Sequence, residues 1–230
     1  MIIFDLETTS ADAGEARIVT AFAGVLGDDG TVSDHVDLLA RPDGFTIPAE
    51  ATRIHGITTE KALADGIPLA TALALIIELI QAHPDEPIAG QNIAYDFTVL
   101  HHELGRALGA TIASTGMLDR HVLDSIIFDR FLYKYRKGSR QLENLARIYG
   151  VPLGDEAHGA RADATAAGQI IQRQLRHPEL AGWSFEQLHA AQVQWRAQQS
   201  ASIEAWLQRT DPEAAIDPGW PLLLSAAVPA

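Results

Sequence analysis

The sequence contains no cysteine, and few of its residues carry a positive charge. Without cysteine the chain has no disulfide bonds, no thiolate metal ligands and no cysteine nucleophile, which fits a reducing cytoplasm. Lysine and arginine number 17 against 30 aspartates and glutamates, so the formal net charge is −13. This excess of acid argues against broad, non-specific binding to nucleic acid, which needs a basic surface. A local basic patch, or bound metal ions that supply positive charge, would still be compatible with it.

Long hydrophobic runs are also missing. The longest apolar stretch, residues 67–80, is too short to span a bilayer and is interrupted by Glu78. The chain begins directly with strand-like residues and not with a basic, apolar signal segment. We therefore predict a cytoplasmic protein with no membrane contact. Its 230 residues, 47% of them hydrophobic, suffice for one large domain or for a smaller domain with an appendage.

The most informative feature is an apolar run at the start of the chain that leads into Asp5 and Glu7. The run predicts a buried strand, and side chains alternate across a strand, so both acids point to the same side. Two neighbouring carboxylates beside a core repel each other unless a cation lies between them. Oxygen ligands alone suit Mg²⁺ or Mn²⁺. The alternative is a strand end whose acids are simply solvated.

The order of the other elements predicts a mixed α/β sheet. Two further strands, at 17–26 and 31–41, flank a tight turn, and Val32, Val36 and Leu38 are the candidates to face the core. Short strands at 87–90 and 121–123 then alternate with helices, which describes a sheet with helices packed on it. The predicted helices are a short one from Thr58, then 68–82, 94–108, 125–133, 139–149, 161–175 and 185–207.

Two more groups of residues accompany the first acid pair. In the first, a short strand ends at Gly90, and Asn92 and Asp96 follow in the opening turns of a helix. This places Asp96 at the carboxyl edge of the sheet, where sites gather in open α/β folds, although it could merely complement the helix dipole. In the second, His158 precedes Asp163 by five residues, at a loop that leads into a helix. A lone loop histidine is usually just solvated.

Taken together, these three motifs resemble those of a known enzyme family. The motifs Phe-Asp-Leu-Glu-Thr-Thr from Phe4, Asn-x-x-Tyr-Asp from Asn92 and His-x-x-x-x-Asp from His158 are similar to those of the DEDDh (DnaQ-like) 3′→5′ exonucleases. The resemblance covers about residues 1–175. It implies an RNase H-like fold, a five-stranded mixed sheet with helices on both faces. The implied division is an exonuclease domain at 1–176 and a helical C-terminal extension at 177–230. Tyr95 stands where the family more often has Phe.

The resemblance also implies a two-metal mechanism. Four acids, Asp5, Glu7, Asp96 and Asp163, would hold two divalent ions, Mg²⁺ or Mn²⁺, that activate a water and stabilise the leaving oxygen. His158 would accept the proton of the attacking water as general base, a role that suits an imidazole at neutral pH. Weaker candidates for gripping the terminal nucleotide are Thr8, Thr9, His55 and Asn92.

The only concentrated basic stretch lies between two predicted helices. It contains Lys134, Arg136, Lys137 and Arg140, interleaved with tyrosines. Its functional interpretation is a loop that follows the phosphates of a nucleic acid strand. An ordinary solvated linker is an equally good interpretation. Farther along, Trp195, Trp206 and Trp220 are expected to be packing residues.

Three functions are compatible with these features. The first is a metal-dependent 3′→5′ exonuclease that releases nucleoside monophosphates from single-stranded DNA. The second, on the same fold, is an exoribonuclease or oligoribonuclease, which differs in its contact with a 2′-hydroxyl. The third is a proofreading or repair subunit that docks onto a DNA polymerase or repair partner through residues 177–230.

Overall fold

A five-stranded mixed sheet forms the centre of the protein. The computed structural model describes residues 1–153 and 159–227. The strands are β1 (Ile2–Thr8), β2 (Ile18–Leu26), β3 (Val32–Leu39), β4 (Ile88–Gly90) and β5 (Val122–Asp124). Their order in the sheet is β3-β2-β1-β4-β5. β1 runs antiparallel to β2 and parallel to β4, and β4 is parallel to β5. The predicted RNase H-like architecture is confirmed.

Helices cover both faces of this sheet. They are α1 (Ala49–His55), α2 (Thr59–Asp65), α3 (Leu69–Ala82), α4 (Ile93–Leu108), α5 (Ser125–Leu132), α6 (Leu142–Tyr149), α7 (Ala160–Gln174), α8 (Phe185–Leu207) and α9 (Leu224–Ala227). On one face α3 and α4 pack against β1, with Phe97 edge-on to Phe4. On the other face α7 lies unusually close to the sheet. A Cβ on Gly168 would come within 2.3 Å of Ile3, so only glycine permits this approach.

Helix α1 is absent from the predicted helices, the first of which begins at Thr58. Two boundary signals do enclose it. Pro48 precedes the first turn, and Gly56 ends the helix with φ 75, a left-handed conformation that glycine adopts at little cost. At only seven residues the helix is too short to show a clear apolar period. The bounding proline and glycine were therefore the usable signals.

The orientation of β3 was predicted only in part. Val36 and Leu38 pack on the α3 and α4 side of the sheet, whereas Val32 packs with Phe22 on the α7 side. The pairing of β2 with β3 shifts register between Gly24 and Val25, which changes the alternation of side chains. A strict period of two therefore fails across this irregularity.

The segment after α7 packs onto the edge of the sheet. On α8, the Gln192 side chain accepts a hydrogen bond from the Asp124 amide at 2.7 Å and donates one to the Val122 carbonyl at 2.9 Å. His189 Nδ1 accepts from the Val122 amide at 3.0 Å. These side chains take the place of a sixth strand, because they form hydrogen bonds with the backbone groups at the open edge of β5. The predicted boundary at residue 176 stays a prediction.

The three tryptophans of this segment differ in their surroundings. Trp220 is buried and Trp195 is half-buried, as expected of packing residues. For Trp206 the prediction was wrong, because 63% of its surface is exposed near the end of α8. Across the described part of the chain, every helix is too short or too polar to cross a bilayer.

Candidate active site

Three carboxylates converge where β1 and α7 meet. Asp5 and Glu7 lie on the same side of β1 as the buried Ile3, which faces α7. Helix α7 begins at Ala160, so Asp163 stands in its first turn. Each of the three acids offers an oxygen, and these oxygens lie within 4.8 Å of one another. The alternation of the strand and the start of the helix therefore build a site from two distant parts of the sequence.

Asp96 lies beside this group and is not one of the three. Its side chain is only 4% exposed, and Oδ1 accepts a hydrogen bond from the Leu6 amide at 3.1 Å. This contact exists because the pairing of β1 with β4 extends only to Ile3 and Ala89, which leaves the Leu6 amide without a β4 partner. The acid at the start of α4 thus holds the backbone between Asp5 and Glu7.

The carboxylates of the site are unusually hard to ionise. Burial raises the pKa of Asp5 well above its ordinary value, and the nearby charges of Asp96, Glu7 and Asp163 raise it further. Burial, followed by the charge of Asp163, raises the pKa of Glu7 from 4.5 to about 7. Burial also raises the pKa of Asp96, although the hydrogen bond from Leu6 opposes the rise. The group therefore carries repulsion that a cation would relieve.

These residues fit a hard divalent cation. All the donors are carboxylate oxygens, which Mg²⁺ and Mn²⁺ prefer. Within the described ranges, neither Asp5 nor Glu7 forms an ion pair with a basic side chain. Half-buried carboxylates that crowd together without a basic partner are suited to pair with a metal ion.

A further buried acid, Asp124, supports the same edge of the sheet. It caps α5, because Oδ1 accepts from the Ile126 amide at 2.8 Å, and its other oxygen accepts from the Ile93 amide at 3.0 Å. The Asn92 amide also donates to Oδ1 at 3.3 Å. Burial raises the pKa of Asp124. Asp124 therefore caps α5 and also holds the start of α4, the helix that carries Asp96.

A cleft of about 490 Å³ opens next to Glu7. Thr8, Thr9 and His55, three of the predicted substrate contacts, line it together with Tyr95. The Tyr95 hydroxyl hydrogen-bonds with the Thr8 side chain and donates to the Ser10 carbonyl. Tyrosine at this position therefore does more than pack. It fastens the segment after β1 to α4.

Two of the predicted nucleotide contacts have more specific surroundings. Burial lowers the pKa of His55, whose Nδ1 accepts from the Ile57 amide at 3.1 Å. Its Nε2 is buried without a hydrogen-bond partner among the described residues. Asn92 does not line the cleft; it is exposed and occupies the left-handed position before α4, with φ 56.

The basic stretch after α5 divides into two pairs. The side chains of Arg136 and Arg140 bind Asp129 Oδ2 at 2.6 and 2.8 Å, and Asp129 is fully buried. Lys134 and Lys137 are exposed. The two arginines thus have a structural role that the charge pattern alone did not reveal. The remaining predicted residue, His158, lies outside the described residues, just before the start of α7.

The fold and the acidic cluster are those expected of a metal-dependent nuclease, and sequence comparison agrees. The family model described as exonuclease (RNase_T) matches residues 2–171, so the chain belongs to this exonuclease family, within the DnaQ-like, RNase H-like group. The family predicted from the three motifs is confirmed. Comparison of the sequence with curated proteins gives no match.

The fold is also similar to that of solved exonuclease I structures. E. coli exonuclease I in complex with a dT13 oligonucleotide gives a TM-score of 0.62 at 22% identity, over 76% of this chain and 40% of that one. Another exonuclease I structure gives 0.68 at 23% identity, over 88% and 45%. The moderately thermophilic exonuclease I of Methylocaldum szegediense gives 0.63 at 24% identity, over 78% and 41%. The chain therefore spans less than half the length of these proteins.

Proposed function

We propose that this protein is a 3′→5′ exonuclease that removes nucleoside monophosphates from single-stranded DNA by two-metal-ion hydrolysis. One observation carries the proposal: the oxygens of Asp5, Glu7 and Asp163 lie within 4.8 Å of one another. The cleft beside Glu7 would receive the terminal nucleotide. Structures of exonuclease I with dT13 and dA16 oligonucleotides share the fold and support DNA as the substrate.

The four acids would divide between two ions. Asp5, Glu7 and Asp163 would hold the first. Asp5 and Asp96, whose mutual repulsion raises the pKa of Asp5 further, would hold the second. When bound, the ions would offset the charge that builds on the phosphoryl group and lower the pKa of a bound water. We propose Mg²⁺ or Mn²⁺, although a zinc-bound form of E. coli exonuclease I shows that other ions enter this fold.

The protein's own residues would orient the substrate and transfer the proton. The segment of Thr8 and Thr9, held by the Tyr95 hydroxyl, would position the last nucleotide against the acids. His55, which lines the same cleft, would contact it. His158 would accept the proton of the attacking water as general base, a role that its distance of five residues from Asp163 supports.

Digestion of matched DNA and RNA oligonucleotides, labelled at the 5′ end, tests the activity and the substrate together. We expect a ladder of shortened 5′-labelled products from DNA in Mg²⁺ or Mn²⁺, and no ladder from the Asp5→Asn variant. Asp28→Asn removes an equivalent charge from an exposed turn and serves as the control. Faster digestion of RNA would instead establish the exoribonuclease alternative. Release of label in the first products would contradict the proposed direction.

The organisation of the chain and its partners stay proposals as well. We propose an exonuclease domain at 1–176 with a helical extension at 177–230, in a cytoplasmic protein. A DNA polymerase or repair protein could bind the extension, and the exposed Trp206 on α8 is one observation that favours it. Capture of a purified polymerase by the full chain, lost in Trp206→Ala, would test this docking.

A further inference from the structure

A cavity of about 290 Å³ lies between α5 and α8, next to the edge strand β5. Arg130, Lys134 and Arg140 contribute to one wall, and Gln198 and Ser202 of α8 to the other. Its volume is near the lower limit of pockets that bind small ligands. The cavity is separate from the acidic site, because none of Asp5, Glu7, Asp96 and Asp163 lines it.

The surroundings of this cavity are positive in an otherwise acidic protein. Among the described residues, the basic side chains Arg130, Lys134 and Arg140 line the cavity, and no acid does. Asp129 lies close by, where it pairs with Arg136 and Arg140. Both oxygens of Asp129 are already occupied. Oδ2 accepts from Arg136 and Arg140, and Oδ1 accepts from the Tyr149 hydroxyl at 2.9 Å. Three donors bind Asp129, and Arg130 is not one of them.

Arg130 is half-buried, and its guanidinium has no direct partner among the described residues. Over the part of the chain that the structure describes, it makes no hydrogen bond and no ion pair. Burial and the charges of Arg140 and Arg196 lower its pKa, so its positive charge is held at a cost. Buried charges in proteins are normally paired, and the planar fork of arginine matches a phosphate group. An anion in the cavity would complete this environment.

A second unpaired group indicates that the ligand is more than a bare anion. Gln199 lines the cavity and donates through Nε2 to the Ile127 carbonyl at 3.1 Å. Its Oε1 is buried and has no partner among the described residues, so a turn of the side chain toward the cavity would let a ligand with a hydrogen-bond donor pair it. Sugar hydroxyls and base amines are such donors. The stacked rings of Phe131 and Trp195, with centroids 3.9 Å apart, add an apolar wall.

We propose that this cavity is a second nucleotide-binding site, with the phosphate at Arg130 and a sugar or base donor at Gln199. The nucleotide could belong to a single strand or be a free mononucleotide, since both present the same chemistry. Binding of a strand would deepen the proposed exonuclease function and rests on it, whereas binding of a free nucleotide does not.

Binding to the full chain without metal tests the site independently of hydrolysis. The probes are 5′-fluorescent oligo-dT, measured by anisotropy at several salt concentrations, and thymidine 5′-monophosphate, measured by calorimetry. We compare wild type with Arg130→Gln and with Arg209→Gln, which removes an exposed charge after the end of α8. A lost phosphate contact should reduce the salt slope of log K by about 0.7 in Arg130→Gln and leave it unchanged in the control.

The two probes distinguish a nucleotide within a single strand from a free mononucleotide. A reduced slope for oligo-dT without binding of the mononucleotide supports a strand, and mononucleotide binding that Arg130→Gln abolishes supports a free nucleotide. Ser202→Glu, an exposed substitution on α8, should weaken the same ligand if Arg130→Gln does not fold. Wild-type affinities in both variants for both probes would overturn the proposal. A wild type that binds here but does not hydrolyse DNA in Mg²⁺ would instead refute the proposed function alone.

Discussion

Replacing Glu7 by Gln removes a carboxylate that the folded protein holds at a cost, so the change should stabilise the metal-free protein at alkaline pH. Burial and the charge of Asp163 raise the pKa of Glu7 from 4.5 to about 7. Between these two values the folded state binds more protons than the unfolded chain, so stability falls as pH rises. Below pH 4.5 both states are protonated and the penalty is small. Above pH 7 the penalty is complete.

The magnitude follows from the size of this rise. A change from 4.5 to about 7 corresponds to at most about 3 kcal/mol of unfolding free energy. Because Glu7 is only half-buried, solvent screening should reduce this to about 1–2 kcal/mol. For a chain of 230 residues we therefore expect Glu7→Gln to raise the metal-free melting temperature by about 3–6 °C at pH 8. Near pH 4.5 the gain should almost vanish.

Thermal unfolding at pH 4.5 and pH 8, in chelator and in divalent metal, measures this effect. Glu78→Gln on the exposed side of α3 is the matched control and should show no pH-dependent gain. Mg²⁺ or Mn²⁺ should stabilise the wild type at pH 8, by about 2.7 kcal/mol at a hundredfold excess over the dissociation constant. Sodium chloride of equal ionic strength should not. Two results would refute the reasoning. One is an equal rise in the melting temperature of Glu7→Gln at both pH values, and the other is a wild-type melting temperature that divalent metal does not change.

Three further changes test the site and its support. Asp163→Ala should lower the hydrolysis rate by several powers of ten in a single-turnover assay; a residual rate above about a tenth of wild type would contradict its role as a metal ligand. His158→Ala should lower the rate by about 10²–10⁴ and remove the rise in rate with pH, while calorimetric metal binding persists; an unchanged pH profile would count against a general base. Gln192→Ala leaves the buried Asp124 amide and Val122 carbonyl unpaired, so denaturant unfolding should show a loss of about 2–4 kcal/mol in unfolding free energy. A loss below about 0.5 kcal/mol would show that water replaces the side chain.

The parts of the site that follow local periodicity could be predicted from the sequence. Alternation in β1 placed Asp5 and Glu7 on one side, and the start of α7 brought Asp163 to them. The position of Asp96 at the start of α4 was also predicted, but its contact was not. Its hydrogen bond to the Leu6 amide depends on where β1 and β4 stop pairing. The length of a parallel pairing is a tertiary property with no local signal.

The basic stretch illustrates a second kind of limit. Charge and spacing could not separate a phosphate-binding loop from a linker, because the deciding residue lies upstream in α5. Asp129 is a lone acid in that apolar helix, and folding buries it against Arg136 and Arg140. Neutralising all four basic residues together would therefore destabilise the protein as well as weaken binding. Substituting Lys134 and Lys137 alone is the cleaner test of a strand contact.

A continuous path of hydrogen bonds joins the C-terminal segment to the acidic site. Gln192 on α8 accepts from the Asp124 amide, and the Asp124 carboxylate accepts from the Ile93 amide at the start of α4. In the same helix, Asp96 accepts from the Leu6 amide, between Asp5 and Glu7. Each link is buried, so a break leaves an unpaired polar group and shifts the next element. The α8 helix therefore acts as the missing edge of the sheet and is connected, through Asp124 and α4, to the strand that carries Asp5 and Glu7.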